Sequence, residues 1–200
     1  MIVKDVIKLV ANILGLTDVI TAIDSGYTTG MNIEDDANQN IASADVVSEI
    51  NMLVTSFNLV NNIIATNYLE ILDSIEMESN GKIMYKDMCE GKVFLAVKNV
   101  TDDNYNKVSF TLEHDGIIVP KGKYVVTIVK FPEDKMLEDS VLDYSMVISD
   151  KIFAYGVIAE YLLIKGDIDT ASVYDLRFKQ NLLDAIRPRH NIKLKERKFI

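Results

Sequence analysis

The sequence predicts an α+β fold, a helical bundle with an embedded antiparallel β lobe, and three observations lead to it. Apolar residues near both ends of the 200-residue chain recur every three to four positions, which is the period of amphipathic helices. Between them, residues 81–131 contain short β-branched and aromatic runs separated by turn residues. With 48% hydrophobic residues, the chain is also long enough to bury a substantial core.

The order of these elements predicts one body that carries an inserted lobe. Residues 1–78 are assigned to the N-terminal helices of the body, and residues 79–132 to the β-rich lobe. Residues 133–186 are expected to return as C-terminal helices of the same body, followed by a basic C-terminal arm over residues 187–200.

The first helix is predicted to begin near Val3 and to end at a glycine. Its apolar stripe consists of Val3, Ile7, Val10, Ala11 and Leu14. Gly15 follows at a position where helices commonly end on a left-handed residue. Residues 24–40 then become polar and acidic, and a loop of this length is a candidate contact surface.

A second helix, expected to be the longest element, covers residues 41–64. Its apolar positions, again spaced by three or four, are Ile41, Ala44, Val47, Ile50, Leu53, Val54, Phe57, Val60 and Ile64. The following segment, residues 69–77, fits either a helix or a short strand, because so brief an apolar run has no decisive period.

The lobe is predicted to consist of hairpins of an antiparallel sheet. The expected strands cover residues 82–86, 93–100, 108–113, 117–119 and 123–131, with turns at His114-Asp115-Gly116 and Pro120-Lys121-Gly122. Val108, Phe110 and Leu112 alternate with polar residues. One face of the sheet is therefore expected to meet a core while the other meets water.

Two amphipathic helices are predicted to close the body, after an acidic connector over residues 133–143 and capping residues at Ser149 and Asp150. Lys165-Gly166-Asp167 separates the helices, and Pro188 ends the second. The expected buried positions are Ile152, Tyr155, Gly156, Ala159, Leu162 and Leu163 in the first helix, and Ala171, Tyr174, Phe178, Leu182 and Ile186 in the second. The small residues Gly156 and Ala159 predict the close approach of another helix.

Composition argues against several classes of function. A net charge of −9 and a pI near 4.7 disfavour general binding to nucleic acid, which needs clustered Lys and Arg. One cysteine and two histidines offer neither a disulfide nor a zinc-like cluster, so no metal and no other cofactor is predicted. No apolar run reaches the length of about 18 residues that a membrane span needs. Residues 1–16, interrupted by Asp5 and Lys8, are interpreted as a helix rather than a signal peptide.

No catalytic motif is recognisable, and the protein is predicted not to be an enzyme. The acidic run Glu34-Asp35-Asp36 lacks the alternate donor spacing and glycine of a calcium loop, and it is interpreted as a group of helix-capping acids. A second acidic group, Glu133, Asp134, Glu138 and Asp139, could supply a catalytic carboxylate pair, but a solvated connector is the favoured interpretation.

Three single residues carry alternative interpretations. Glu160 lies in an apolar helix, either as a buried acid with a raised pKa or, as favoured, as an outward-facing or subunit-paired carboxylate. His114 is interpreted as a turn residue, since no nucleophile stands in a recognisable elbow near it. Cys89 is interpreted as a half-buried thiol without catalytic activation.

The C-terminal arm is the charged feature with the clearest functional meaning. From Arg187 onward, six basic residues face one acid, so the arm carries about +5 and the preceding chain about −14. Ile192, Leu194, Phe199 and Ile200 interleave with these charges, which favours docking in an acidic groove on a partner over a merely solvated tail. The predicted partner-binding residues are Arg187, Arg189, Lys193, Lys195, Arg197, Lys198, Phe199 and Ile200.

Two stretches, covering together about half of the chain, resemble phage neck proteins. Val10-Ala11-Asn12-Ile13-Leu14, Asp36-Ala37-Asn38, Ala44 and Ile50-Asn51 resemble, in order and spacing, the N-terminal region of head-to-tail adaptors of short-tailed bacteriophages, the tail tubular protein A or gatekeeper family. Residues 154–161, with Gly166, Ala171 and the run Tyr174-Asp175-Leu176-Arg177-Phe178, look like the C-terminal helical pair of small virion neck proteins. Phe57-Asn58-Leu59 stands where adaptors of this family often carry Gly-Trp.

The resemblance implies a structural virion protein of the neck or tail, made in the host cytoplasm. It implies a homo-oligomeric ring of about twelve copies between the portal protein and the tail, with heterologous contacts between subunits. Helices 41–64 and 152–186 would form the subunit contacts, the β lobe would face the tail, and the arm would reach the portal or a neighbouring subunit. The acidic body would let DNA pass without sequence-specific binding.

Two alternatives remain open from the sequence. The chain could be another phage tail or baseplate ring protein, which its virion partners would distinguish. It could also be a cellular binding module or enzyme that uses the β lobe as a ligand cleft, which small-molecule binding by a folded monomer would indicate.

Overall fold

The computed structural model describes residues 1–28, 42–88, 93–141 and 147–187, and within them it has an α+β architecture that confirms the predicted fold class. The helices are α1 (Val3–Leu14), α2 (Thr17–Asp24), α3 (Ala44–Asn67), α4 (Tyr85–Met88), α5 (Asp150–Lys165) and α6 (Ile168–Ile186). The strands are β1 (Ile71–Met84), β2 (Phe94–Asp102), β3 (Thr111–Leu112) and β4 (Gly116–Lys130).

Helix α5 is the centre of the helical body. It packs against α1, α3 and α6, and seven of its residues are buried. The rings of Phe57 on α3 and Phe153 on α5 stack with centroids 4.7 Å apart, and both side chains are fully buried. Offset stacking adds to the stabilisation that these two large apolar side chains gain from leaving water.

Gly156 is the position where three helices meet. A Cβ atom built there would lie 2.9 Å from Val60 Cγ1 on α3 and 3.1 Å from Phe178 Cδ2 on α6. Real Cβ atoms essentially never come within 3.0 Å of another side chain. The predicted close approach at Gly156 is therefore confirmed, and only the absence of a side chain permits it.

The connector that follows the sheet accepts hydrogen bonds from the first backbone N–H groups of α1. The backbone N–H groups of Val3 and Lys4 donate to the carbonyls of Asp139 and Leu137, at 3.0 and 2.9 Å. The first N–H groups of a helix have no partner within the helix, and Ile2 offers no side-chain cap, so the connector satisfies them instead. The four connector acids, Glu133, Asp134, Glu138 and Asp139, are exposed, as predicted for a solvated connector, while the apolar Leu137 and Val141 between and after them are buried in the helical core.

The sheet is antiparallel, with strand order β1-β4-β2 and with β3 paired to β4. Its residues form a hydrophobic cluster that shares no buried residue with the helical core. The buried members of this sheet core are Ile83, Met88, Val100, Ile117, Val119, Tyr124, Val126 and Ile128. The described residues thus have two cores, while the predicted division into body and lobe remains a prediction.

Several predicted boundaries within the lobe differ from the structure. The predicted turn at Pro120-Lys121-Gly122 lies inside strand β4, because the edge partner β1 is nearly as long and pairs with β4 on both sides of Pro120, with a shift of register there. The ambiguous segment 69–77 is mostly strand, and β1 begins at Ile71, within the range 1–78 assigned to helices. Leu112, expected to face the core, is 63% exposed, although its register partner on β4 is the buried Ile117. The other two residues of the predicted apolar face, Val108 and Phe110, do pack against the sheet core.

The helical predictions hold in outline and fail in detail. α1 ends at Gly15, whose φ of 73° is left-handed as predicted, and Gly166 ends α5 in the same way. Helix α2 was not predicted, since eight residues show too little periodicity. In α5, Gly156 and Ala159 are buried as expected. The other buried residues of this helix directly precede or follow a predicted position in the sequence, and Leu163 is 46% exposed.

Candidate interaction surfaces

The basic arm starts where α6 stops. Of the predicted partner-binding residues, only Arg187 is among the described residues; Arg189, Lys193, Lys195, Arg197, Lys198, Phe199 and Ile200 lie outside them. Arg187 is exposed and extended, and its backbone N–H donates to the Leu183 carbonyl at 3.1 Å. Its side chain lines a shallow surface depression together with Gln180, Leu183, Asp184 and Ile186.

Helix α6 has two apolar faces, of which the sequence analysis identified one. The inward face buries Ala171, Phe178 and Leu182. On the other side, Val173, Leu176 and Leu183 are 50%, 57% and 54% exposed. These three residues follow one another at spacings of three and seven, which places them in one row along the helix. We call this row the outward ridge.

A groove runs between the first half of α3 and the end of α5. It is a wide, solvent-open depression of about 440 Å³, lined by Ala44, Val47, Ser48, Asn51, Met52, Thr55 and Ile164. Ala44, Ser48, Asn51 and Thr55 lie on one face of α3, at spacings of four, three and four. Their side chains are short, so this face of α3 is a depression rather than a ridge.

Close to this groove, an ion-pair cluster joins α3 and α5. The Tyr161 hydroxyl donates to one carboxylate oxygen of Glu49, and Lys165 Nζ donates to the other at 2.8 Å. Lys165 Nζ also lies 5.5 Å from the centre of the Tyr161 ring. Tyr161 is buried, so this cluster connects the end of α5 to α3.

The charges beside the groove are acidic, whereas those beside the ridge are mixed, because exposed Asp169 and Asp184 of α6 lie on the same side as the ridge. Helix α3 contains Asp45 and Glu49 but neither Lys nor Arg, so its first half is acidic. Beside the outward ridge, Arg177 is exposed, with its guanidinium carbon 5.5 Å from the centre of the Tyr174 ring. Arg187 adds a second exposed cation at the end of the same helix.

Glu160 lies half-buried against α6 of its own chain, so it neither points freely outward nor is it fully buried. Burial raises the pKa of its carboxyl, and the negative charge of Asp175 raises it further, while Lys179 acts in the opposite direction. Lys179 Nζ is itself paired with Asp175 at 2.7 Å. The arrangement connects α5 and α6 electrostatically and includes no nucleophile.

The remaining candidates do not assemble into a site within the described residues. His114 is exposed in the bend before β4, as predicted for a turn residue. The Asp139 carboxylate accepts from the backbone N–H of Met136 at 2.7 Å, which shapes a turn of the connector. Cys89 and the acidic run Glu34-Asp35-Asp36 lie outside the described residues.

The described residues contain neither a candidate metal cluster nor a candidate membrane span. No group of three or more His, Cys, Asp or Glu residues there could hold a metal ion. Among the same residues, no helix is both long enough and apolar enough to cross a membrane.

Tyr105 is the most exposed large side chain of the β lobe, at 86%. Its φ of 61° is left-handed, which non-glycine residues seldom adopt. The Asp102 carboxylate holds this loop by accepting from the backbone N–H groups of Asn104 and Asn106, at 2.9 and 2.8 Å. The sequence analysis passed over this loop, although Asp102-Asp103-Asn104 is a recognisable turn composition.

Comparison with known proteins assigns no family. No protein-family model matches the chain, and no curated protein matches it. The features that bear on function are therefore the surfaces described above and the resemblance in the sequence. The outward ridge is visible in the sequence, because Val173, Leu176 and Leu183 have helical spacing. The inward stripe contains more apolar positions, and only that stripe was predicted to be an apolar face of this helix.

Proposed function

We propose that this chain is a structural subunit of a bacteriophage neck, a head-to-tail adaptor that forms a ring between the portal and the tail and lines the DNA channel. The observation that carries the proposal is the second apolar face of α6. A helix with one apolar face needs one partner, whereas α6 presents a second row of branched side chains that no described residue of the chain covers. A subunit of a larger assembly accounts for such a row.

The arm supports the same proposal. It begins at Arg187, directly after α6, so it extends from the end of the outward ridge. Its cations and interleaved apolar residues suit an acidic apolar surface on the portal or on a neighbouring subunit. The chain before the arm carries about −14, which would weaken sticking of DNA phosphates in the channel.

The test is a pull-down of the tagged chain from phage-producing cells, with partners identified by mass spectrometry. Three proteins are compared: the full chain, a chain lacking residues 188–200, and a chain in which the order of residues 188–200 is shuffled. The truncation removes no described helix or strand, so the monomer should keep its fold. The shuffled chain keeps the charge and tests whether the order of the arm matters.

Recovery of portal and tail proteins by the full chain, lost on truncation, is the expected result. Recovery of only tail or baseplate proteins would move the chain to another position in the virion. Recovery of no virion protein would contradict the proposal, and a small molecule bound to a folded monomer would then favour a cellular binding module. Unchanged recovery after truncation would remove the arm from the interface while keeping the adaptor.

A further inference from the structure

We infer that residues 192–200 of the basic arm of one copy pair, as an antiparallel strand, with the open edge of β1 in a neighbouring copy. The inference rests on the proposed function, which makes the arm an assembly contact, and it names the surface that the arm binds. The pairing itself can be measured on the isolated protein, without any phage component.

Strand β1 is the open edge of the sheet. It pairs with β4 on one side, and no described residue pairs with it on the other. Its register with β4 runs without a shift from Ile71 to Asn80. The opposite edge, β2, has two shifts of register and already binds the loop that follows it, through the Val108 N–H and the Val100 carbonyl at 2.9 Å. An edge strand turns backbone N–H and C=O groups outward, and β1 is therefore the edge that can accept a further strand.

Charge favours the arm as that strand. All charged residues in the range 70–81 are acids: Glu70, Asp73, Glu76 and Glu78. The exposed Glu76 and Glu78 have no ion-pair partner among the described residues. The arm offers four cations against Glu196 over the range 192–200: Lys193, Lys195, Arg197 and Lys198. Opposite charges directly across a strand pair stabilise it, and like charges destabilise it.

The arm and β1 also alternate in the same way. On β1, exposed Glu76 and Glu78 alternate with Ile75 and Met77, which pack against the sheet core. In the arm, Lys193 and Lys195 alternate with the apolar Ile192 and Leu194. Since successive side chains of a strand point to opposite faces, one alignment extends both the acidic face and the apolar face of β1.

The antiparallel register matches the most residues. With Ile192 beside Ser79, it sets Lys193 against Glu78, Lys195 against Glu76 and Lys198 against Asp73. The apolar neighbours are then Leu194 with Met77, Phe199 with Leu72 and Ile200 with Ile71, whereas Glu196 against Ile75 is a poor match. A parallel register would set Lys193 against Glu76 and Lys195 against Glu78, but it would carry Phe199 and Ile200 past the shift of register after Asn80.

The reach of the arm favours a neighbouring copy. Arg187 and Ile192 are five residues apart, which spans at most about 18 Å. Ile186 and Ile71 both pack on the helical core, while β1 joins the sheet core from Ile75 onward. Ser79 lies about 27 Å beyond Ile71 along the strand. In the antiparallel register, an arm of the same chain would have to meet this far end of β1 first. An arm from the next copy joins two different surfaces of successive subunits, as ring closure requires.

Disulfide trapping tests the register and the copy together. Four chains each carry one cysteine, because Cys89→Ser is combined with Lys193→Cys, Lys195→Cys, Glu76→Cys or Glu78→Cys. Arm and edge chains of different mass are mixed in pairs and oxidised, after circular dichroism has shown that each is folded. Directly opposed residues of an antiparallel pair are about 4.5–5.5 Å apart between Cα atoms, within the range of a disulfide.

Covalent heterodimers are expected from the mixtures 193 with 78 and 195 with 76. The swapped mixtures, 193 with 76 and 195 with 78, are the matched control, because they contain the same four cysteines. They should give several-fold less heterodimer, since diagonal neighbours are about 7–8 Å apart.

A charge exchange tests the same contact without cysteines. The edge variant carries Glu76→Lys and Glu78→Lys, and the arm variant carries Lys193→Glu and Lys195→Glu. The control, Asp103→Lys with Asp134→Lys, changes exposed acids away from β1 by the same total charge. In sedimentation velocity, each variant should associate at least about 10-fold more weakly than the full chain and the control. An equimolar mixture of the edge and arm variants should regain association, because the reversed edge then meets the reversed arm.

The inference is overturned if no mixture gives heterodimers, if the swapped mixtures react as well as the expected ones, or if the edge and arm variants associate like the control. These outcomes are distinct from those of the proposed function. Portal recovery without the expected disulfides would discard only this contact. The expected disulfides without any virion partner would keep the contact and discard the adaptor.

Discussion

At the residue scale, the fold depends on a few positions where a side chain is either absent or held in an unfavourable environment. Gly156 is such a position, because α3 and α6 both occupy the space that its Cβ would need. Glu160, one turn further along α5, is a carboxylate placed against α6 at some cost to its charged form.

Adding a methyl group at Gly156 should destabilise the body. Alanine is preferred over glycine in helices by about 1 kcal/mol, but overpacking a core costs about 1–3 kcal/mol. We therefore expect Gly156→Ala to lower the free energy of unfolding slightly and Gly156→Val to lower it by several-fold more. Urea denaturation followed by circular dichroism measures both. A Gly156→Ala protein more stable than the original chain would show that Val60 and Phe178 can move aside.

The Glu160 carboxyl should make the protein less stable as it ionises. The pKa of this carboxyl in the folded protein is raised above the ordinary value of 4.5, so the fold favours the neutral form. The stability that the neutral carboxyl contributes is fully present below pH 4.5 and is lost as pH rises through the folded pKa. Glu160→Gln should therefore be more stable than the original chain at pH 7, with the difference vanishing near pH 4. The gain is small, because Glu160 is only half-buried and solvent screens its charge.

Denaturation midpoints measured from pH 4 to pH 7 test this prediction. Glu76→Gln, an exposed carboxylate change on β1, is the control for general charge effects. An equal response of the two variants across the pH range would refute a special environment at Glu160.

At the element scale, two adjacent residues determine the turn between α5 and α6, one by ending α5 and the other by beginning α6. Gly166 adopts a left-handed φ of 84°, and its N–H donates to the Leu163 carbonyl at 3.1 Å, which ends α5. The Asp167 carboxylate accepts from the Thr170 N–H at 3.2 Å and begins α6. The turn orients α6 so that its second apolar face points outward.

The N-cap residues of α5 and α6 should contribute differently to the free energy of unfolding. Asp167→Ala removes a side-chain cap and should lower the free energy of unfolding by about 1 kcal/mol. Ser149, at the start of α5, makes no side-chain cap hydrogen bond, so Ser149→Ala should cost clearly less. Thermal or urea unfolding of both variants makes the comparison. Equal losses would mean that cap geometry does not decide stability here.

At the scale of the whole molecule, the helical body and the sheet are joined at one place in the described chain. Ile71 and Lys130 are register partners at the ends of β1 and β4, so the sheet leaves and returns at nearly the same point. Asn58 on α3 then binds the returning connector twice, donating to the Lys135 carbonyl at 3.0 Å and accepting from its N–H at 2.8 Å.

The helical body is expected to fold without most of the sheet. Register partners in an antiparallel pair are about 5 Å apart, so a short Gly/Ser linker can replace residues 72–129. The shortened chain should keep its helical circular dichroism and unfold cooperatively, because its core shares no buried residue with the sheet core. The same chain carrying Leu53→Asp, which buries a charge, is the control that should not fold. A shortened chain as unfolded as this control would show one inseparable domain.

How much the sequence predicts depends on whether a signal is local. The left-handed ends at Gly15 and Gly166 and the buried face of α6 follow from residue type and spacing, so they were predicted correctly. The turn expected at Pro120 was wrong, because a long partner strand outweighs local turn composition. For the candidate interaction surfaces, the sequence placed the arm but missed the groove, whose lining comes from α3 and from Ile164 on α5.

The sequence by itself determined the α+β class, the arrangement of a β-rich middle between two helical regions, the helix ends at Gly15 and Gly166, and the charge asymmetry, because each follows from local composition or from a period of two or 3.6 residues. Only the tertiary structure decided that the connector caps α1, that α6 keeps a second apolar face exposed, and that a groove lies between α3 and α5. These features depend on which distant segments meet, since burial and the partners of backbone groups are fixed by packing among segments far apart in the chain.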